Sequence, residues 1–140
     1  MSDDTLLPVP ILLREARGAF ARRISDYIAA AQLPELPTNG PLILGGLHIG
    51  EASFTELVAS RRRSLERFGT IDRLFEAGYL EGPRDNPTLS DLGHHAAHVI
   101  QSAVGDLGAA LHEHLGDDGA VQFVKGLRFL IADKQSRESK

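Results

Sequence analysis

From Ser90 to Leu115, apolar side chains return every three or four positions, at Leu92, Ala96, Val99, Ala103, Leu107, Ala110 or Leu111, and Leu115. That spacing lines them along one face of an α-helix. Ser90 is a good N-cap and Gly116 a stop, so the pattern predicts a helix of roughly 25 residues, about 38 Å long. In a chain of 140 residues such a rod finds few partners of its own. A second long helix is predicted over residues 9–33, where Leu13, Ala16, Phe20, Ile24, Tyr27 and Ala31 share a face. Two extended apolar faces on so small a chain mark an interface, and a homodimer is the economical solution.

Shorter elements are expected between the two rods. The stretch Pro34–Pro41 contains Pro34, Pro37 and Pro41, which lack amide donors and fix φ, and Gly40, which frees it. It reads as a linker. Residues 42–49 form a short apolar helix, with Gly45 and Gly46 allowing close helix packing. Ser53 and Glu56 have the spacing of a capping box, in which each side chain satisfies an amide at the other residue, so a short helix starts there. Another is predicted from Arg63 to Ala77, carrying Leu65, Phe68, Ile71 or Asp72, and Phe75 on successive turns. Gly69 inside it costs about 1 kcal/mol relative to alanine, and Gly78 ends it. Tyr79–Glu81 and Thr88–Leu89 then flank the turn 82–87 as a very small hairpin. Beyond Gly116, Asp117 or Asp118 caps a last helix marked by Val121, Phe123 or Val124, Leu127 and Ile131, with a polar tail fraying from Lys134.

Composition removes several classes of function. With 42% hydrophobic and 24% charged residues the chain is an ordinary globular domain. It has no cysteine, which excludes disulfides, thiolate metal sites and a cysteine nucleophile, and fits a reducing cytoplasm. The start is acidic, and no apolar run approaches the roughly 18 residues that a bilayer span requires, so neither secretion nor membrane association is expected. No nucleophile elbow, phosphate loop or dinucleotide fingerprint occurs. An enzyme is therefore not expected, and no cofactor is called for. The net charge of −4 would repel a polyanion, yet residues 61–84 hold six arginines against four carboxylates and form the one net-basic stretch.

The order helix, helix, two strands, helix start over 53–93 is that of a winged helix-turn-helix. Three runs occur in matching order: Ser53-Phe-Thr-Glu-Leu-Val-Ala-Ser60, then Thr70-Ile-Asp-Arg-Leu-Phe-Glu-Ala-Gly-Tyr-Leu-Glu81, then Leu89-Ser-Asp-Leu-Gly93. Together they resemble the MarR family of bacterial regulators. The resemblance implies a mainly α fold: a winged helix-turn-helix with a small β-hairpin wing, flanked by long N- and C-terminal dimerisation helices. On that reading residues 1–36 and 91–140 make the helical dimerisation region and 37–90 the DNA-binding region, intertwined as one domain. It further implies a transcriptional regulator bound as a homodimer to a pseudo-palindromic operator in double-stranded DNA. A small aromatic or phenolic effector would bind between the DNA-binding lobe and the dimer helices, where Arg14, Arg17, Tyr27 and His48 are the candidate lining residues. The wing is shorter than the family's usual one, Arg84 is its sole cation, and the turn into the recognition helix is one residue short.

A DNA reader needs cations where the phosphates pass and side chains that reach beyond them to base edges. Arg61, Arg62, Arg63 and Arg67 supply both, because a guanidinium fork can clamp a phosphate or pair two acceptors of guanine. Ser64 and Thr70 are small hydroxyl partners expected near the same face, and Arg84 is the contact expected from the wing. Glu66, Asp72 and Glu76 stand at helical spacing to pair with Arg62, Arg73 or neighbours and cancel charge. The competing reading is a dimeric winged-helix module that has lost DNA reading and works through protein or ligand binding.

Five of the six histidines, His94, His95, His98, His112 and His114, fall in one region. Zinc takes three or four converging ligands, whereas the run Gly93–His98 offers two imidazoles on one face and no carboxylate at ligand spacing within that turn. No metal site is expected. The histidines read as partly exposed imidazoles, with His95 or His98 in an interface, able to tune stability between about pH 5 and 8.

Overall fold

The computed structural model describes residues 8–50 and 53–138, with side chains through residue 133. In chain order the elements are α1 (Val9–Ala30), α2 (Gly40–Ile49), α3 (Phe54–Ser60), α4 (Arg62–Phe68), α5 (Thr70–Glu76), β1 (Leu80–Glu81), β2 (Thr88–Leu89) and α6 (Asp91–Glu138). The two strands pair antiparallel, Leu80 opposite Leu89 and Glu81 opposite Thr88. This is a mainly helical winged fold with a hairpin wing. Among the described residues no helix is long and apolar enough to cross a membrane.

The backbone clusters into two compact units, Met1–Val104 and Gly105–Lys140, with α6 contributing to both. The first contains one hydrophobic core. Ile24 and Ile28 of α1, Ile43 and Leu44 of α2, Leu65 of α4, Leu74 of α5, the hairpin residues Tyr79, Leu80 and Leu89, and Ala96, Ala97, Ile100 and Ala103 of α6 form a single buried cluster. In the second unit none of the described side chains is buried. Val121, Phe123, Val124, Phe129, Leu130 and Ile131 are all exposed, Phe129 to 71%.

Several local expectations are met atom by atom. Ser53 Oγ accepts the Glu56 amide while Glu56 Oε1 accepts the Ser53 amide, closing the capping box at 3.2 Å on each side. Ser90 caps α6, its Oγ accepting the Gly93 amide at 3.0 Å and donating to the Gly78 carbonyl at 2.5 Å. Gly46 packs so closely on Leu57 that a Cβ there would lie 2.8 Å from its methyl groups, while Gly45 has open space.

Other expectations are corrected. α1 stops at Ala30, because the chain turns at Gln32 with φ 58°. The single helix expected from Arg63 to Ala77 is two, since Gly69 takes a left-handed conformation, φ 60°, and closes α4 before α5 begins. At Gly116 (φ 76°, ψ 170°) the last long helix kinks as its stop signal predicts. Asp117 pairs with His112 at 2.7 Å, and helical backbone continues past Lys134 to Glu138, while the side chains of that tail lie outside the described residues.

The proline-rich stretch after α1 is strapped down rather than free. Its prolines cannot donate to a ladder, so its carbonyls take partners from distant side chains. Pro34 O accepts the Tyr79 hydroxyl and Thr38 O accepts the Thr70 hydroxyl at 2.6 Å. Asn39, in a left-handed conformation, donates from Nδ2 to Ser64 Oγ at 2.7 Å.

Tyr79 is fully buried, and that burial raises its phenol from 10.0 to about 12. The neutral phenol is thus favoured more in the folded than in the unfolded chain. Its contribution is complete below about pH 10 and is lost as pH rises through about 12, a span of roughly 2–3 kcal/mol. Denaturant titrations of wild type and Tyr79→Phe between pH 9 and pH 12 test this. The variant should lose about 1 kcal/mol at neutral pH through the Pro34 contact and show a correspondingly flatter alkaline limb. Parallel limbs would refute the assignment.

Candidate nucleic-acid interface

A single residue, Arg61, separates α3 from α4. With φ −137° and ψ 25° it ends one helix and begins the next, so the three arginines 61–63 occupy the corner and the first turn of α4. Arg61, Arg62, Arg63 and Arg67 are all exposed, and none forms an ion pair among the described residues. Leu65 is their counterweight: it is buried in the core and fixes which side of α4 the arginines present. Ala59, Ser60 and Arg61–Ser64 border a shallow groove at this corner. Arg67 lies 5.5 Å from the centre of the Phe68 ring, a cation–π contact that leaves its charge outward.

The two hydroxyls expected beside these arginines fare differently. Ser64 is half-buried, its Oγ accepting from Asn39. Thr70 overturns the expectation of a surface contact: it is wholly buried, and its hydroxyl is spent on the Thr38 carbonyl. Arg84 remains exposed on the wing but folds back onto α5, where it pairs with Asp72 and lies 4.3 Å from the centre of the Phe75 ring. Asp72 therefore cancels the wing's cation rather than the charge of Arg62 or Arg73.

A cleft of about 990 Å³ lies between α1, the strapped segment and the start of α2. Its walls are apolar at Phe20, Ile24, Ile28 and Leu36 and carry the guanidinium-bearing residues Arg14, Arg17 and Arg61. Arg61 thus borders both the cleft and the arginine groove. Of the four residues named as candidate effector contacts, Arg14 and Arg17 border this cleft. Tyr27 and His48 do not line this cleft: Tyr27 packs against the core, and His48 faces α6.

His48, near the end of α2, shows an association the sequence did not reveal. Its ring centre is 4.7 Å from that of His98 and 5.9 Å from that of His94, in edge-on geometry. His48 Nδ1 is buried without a hydrogen-bond partner among the described residues, a state that costs about 1–3 kcal/mol for a polar atom. His94, His95 and His98 are exposed. Among the described residues no group of three or more histidine, cysteine, aspartate or glutamate side chains could hold a metal ion.

Comparison by sequence finds no matching family model and no matching curated protein. Comparison by structure finds a solved chain described as the crystal structure of ligand-free NadR, with a TM-score of 0.69 and 22% identity, covering 96% of this chain and 100% of that one. The likeness establishes the fold.

Thr70→Val separates the two roles considered for that residue. The variant should unfold at lower denaturant, with a loss of about 1–2 kcal/mol from the orphaned Thr38 carbonyl. It should also keep the salt dependence of any DNA binding. A changed salt slope at unchanged stability would return Thr70 to the interface.

Proposed function

We propose that this chain is a MarR-like transcriptional regulator that binds a pseudo-palindromic operator as a homodimer, one winged helix-turn-helix per half-site. The observation that carries the reading is the set of four exposed arginines, free of carboxylate partners among the described residues, on the α3–α4 corner of a winged fold. Guanidinium groups so placed suit both phosphate clamping and guanine readout. Half-site centres about 10 bp apart follow from twofold symmetry on B-form duplex.

The dimer reading is supported by the exposed apolar side chains at Val9, Ile11, Leu12 and Leu13 and by those of the second unit, which has no buried side chain of its own among the described residues. A second copy would cover them. In this scheme residues 1–36 and 91–140 serve dimerisation and 37–90 serve DNA. The competing module without DNA reading draws support from the wing, whose one cation is tied to Asp72.

Equilibrium DNA titrations at several salt concentrations decide between these two. Binding by wild type should weaken steeply with salt, and joint replacement of Arg61, Arg62 and Arg63 by alanine should reduce the log–log slope by up to about 3. A shallow wild-type slope unaffected by the triple change would leave the module reading.

Within the regulator reading, the cleft takes a small aromatic or phenolic anion. Apolar walls suit a ring, and Arg14 and Arg17 suit its charge. Because Arg61 borders both sites, an anion there competes with DNA for one guanidinium. Benzoate, used as a probe in the same titration, should weaken DNA binding by wild type but not by Arg14→Ala/Arg17→Ala. An equal effect on both proteins, or none on either, would remove the effector assignment.

A further inference from the structure

We infer that the wing of this chain masks itself: Asp72, at the start of α5, stands in for a DNA phosphate and withholds Arg84, the wing's one cation, from the duplex. This rests on the DNA-binding reading of the arginine corner and adds to it a built-in restraint on affinity. Between Tyr79 and Leu89 the only charged side chains are Glu81, Arg84 and Asp85. All three are exposed, and with Arg84 paired to Asp72 the charges left on the hairpin are both negative. Such a wing repels phosphates, whereas the corner of Arg61, Arg62, Arg63 and Arg67 attracts them.

The placement of Arg84 follows from the hairpin. Leu80 and Leu89 pair across the strands and enter the core, which fixes the base of the wing. The turn between them opens with Gly82 at φ 86°, and the Asn86 amide donates to the Pro83 carbonyl at 3.1 Å. From within this turn Arg84 reaches back to α5 and makes two contacts. Its Nη1 donates to Asp72 Oδ1, and the guanidinium carbon lies 4.3 Å from the centre of the Phe75 ring. Asp72 and Phe75 are three residues apart on α5 and so are neighbours on the helix surface, which lets a single guanidinium take both. One contact neutralises the charge and the other covers the flat face, the two properties by which arginine recognises nucleic acid.

The mask is soft. The side chains of Arg84 and Asp72 remain 61% and 72% exposed, so water and salt reach the pair, and exposed ion pairs of this kind are weak. Phe75, by contrast, is half-buried and packs against the core, so the platform beneath Arg84 is fixed by packing. Neutralising Asp72 therefore frees the guanidinium without unmaking the fold. Each freed arginine can then neutralise one more phosphate.

Titrations of a mixed-sequence DNA duplex with the full chain, repeated at several salt concentrations, test the inference. Asp72→Asn and, separately, Asp72→Ala should steepen the log–log salt dependence by about 1 for each protomer that engages the duplex. At low salt each should tighten binding by about three- to tenfold. Adding Arg84→Ala to either change should return the slope to the wild-type value. Glu76→Ala, which removes the same charge from an exposed position one turn along α5, should leave the slope at that value. No steepening in the Asp72 variants, a gain that survives Arg84→Ala, or an equal gain in Glu76→Ala would each overturn the mask. Asparagine keeps the size of the side chain, so if circular dichroism shows Asp72→Ala to lose helix, the Asp72→Asn variant decides. Should wild type bind no DNA, binding gained by Asp72→Asn and lost again with Arg84→Ala upholds the mask and rejects the regulator reading, whereas no binding by either protein sinks both.

Discussion

The carbonyl, amide and hydroxyl of Tyr79 each hold a different part of the first unit. Its amide donates to Leu74 at the end of α5, its carbonyl accepts the Ser90 amide ahead of α6, and its hydroxyl reaches Pro34 between α1 and α2. Gly93 completes the arrangement. A Cβ there would stand 2.2 Å from the Tyr79 carbonyl oxygen, so the first turn of α6 can lie against this backbone only without a side chain. A buried aromatic with every polar group satisfied contributes both apolar area and fixed geometry. The wing, α5 and the start of α6 are thereby set relative to one another.

The arginine corner inherits its orientation from this arrangement. Leu65 and Leu74 enter the same core as Tyr79, while Thr70 and Ser64 bind the segment that Tyr79 also holds. Three side-chain contacts to a proline-rich stretch replace the ladder it cannot form, and α4 and α5 cannot rotate without breaking them. The arginines are therefore displayed by a rigid element. On such an element a recognition surface loses little conformational entropy when it binds.

Much of this was legible from local pattern. The apolar period gave the long helices, Ser53 with Glu56 the start of the short α3, Ser90 the start of α6, Gly78 the end of the helical run before the wing, and Gly116 the kink in α6. Gly69 was visible only as a helix weakness of about 1 kcal/mol; its left-handed conformation, which splits the predicted helix in two, depends on how Leu65 and Leu74 reach the core on either side of it. Thr70 was misread as a surface hydroxyl because its partner is 32 residues away and is a backbone carbonyl, which has no sequence signature. The wing arginine offered no sign that it would turn back onto Phe75.

Sequence alone determined the helical periods, the capping chemistry, the absence of thiol chemistry and the concentration of arginine between residues 61 and 67. These are local properties, set within a turn or two of backbone. Tertiary structure decided which polar groups were consumed in holding the fold and which remained for a partner. It buried Thr70, tied Arg84 to Asp72, brought Arg61 to the edge of the α1 cleft and carried His48 to His94 and His98. Each outcome requires distant segments to meet around one core, and the free energy that brings them together comes from apolar burial summed over the whole first unit.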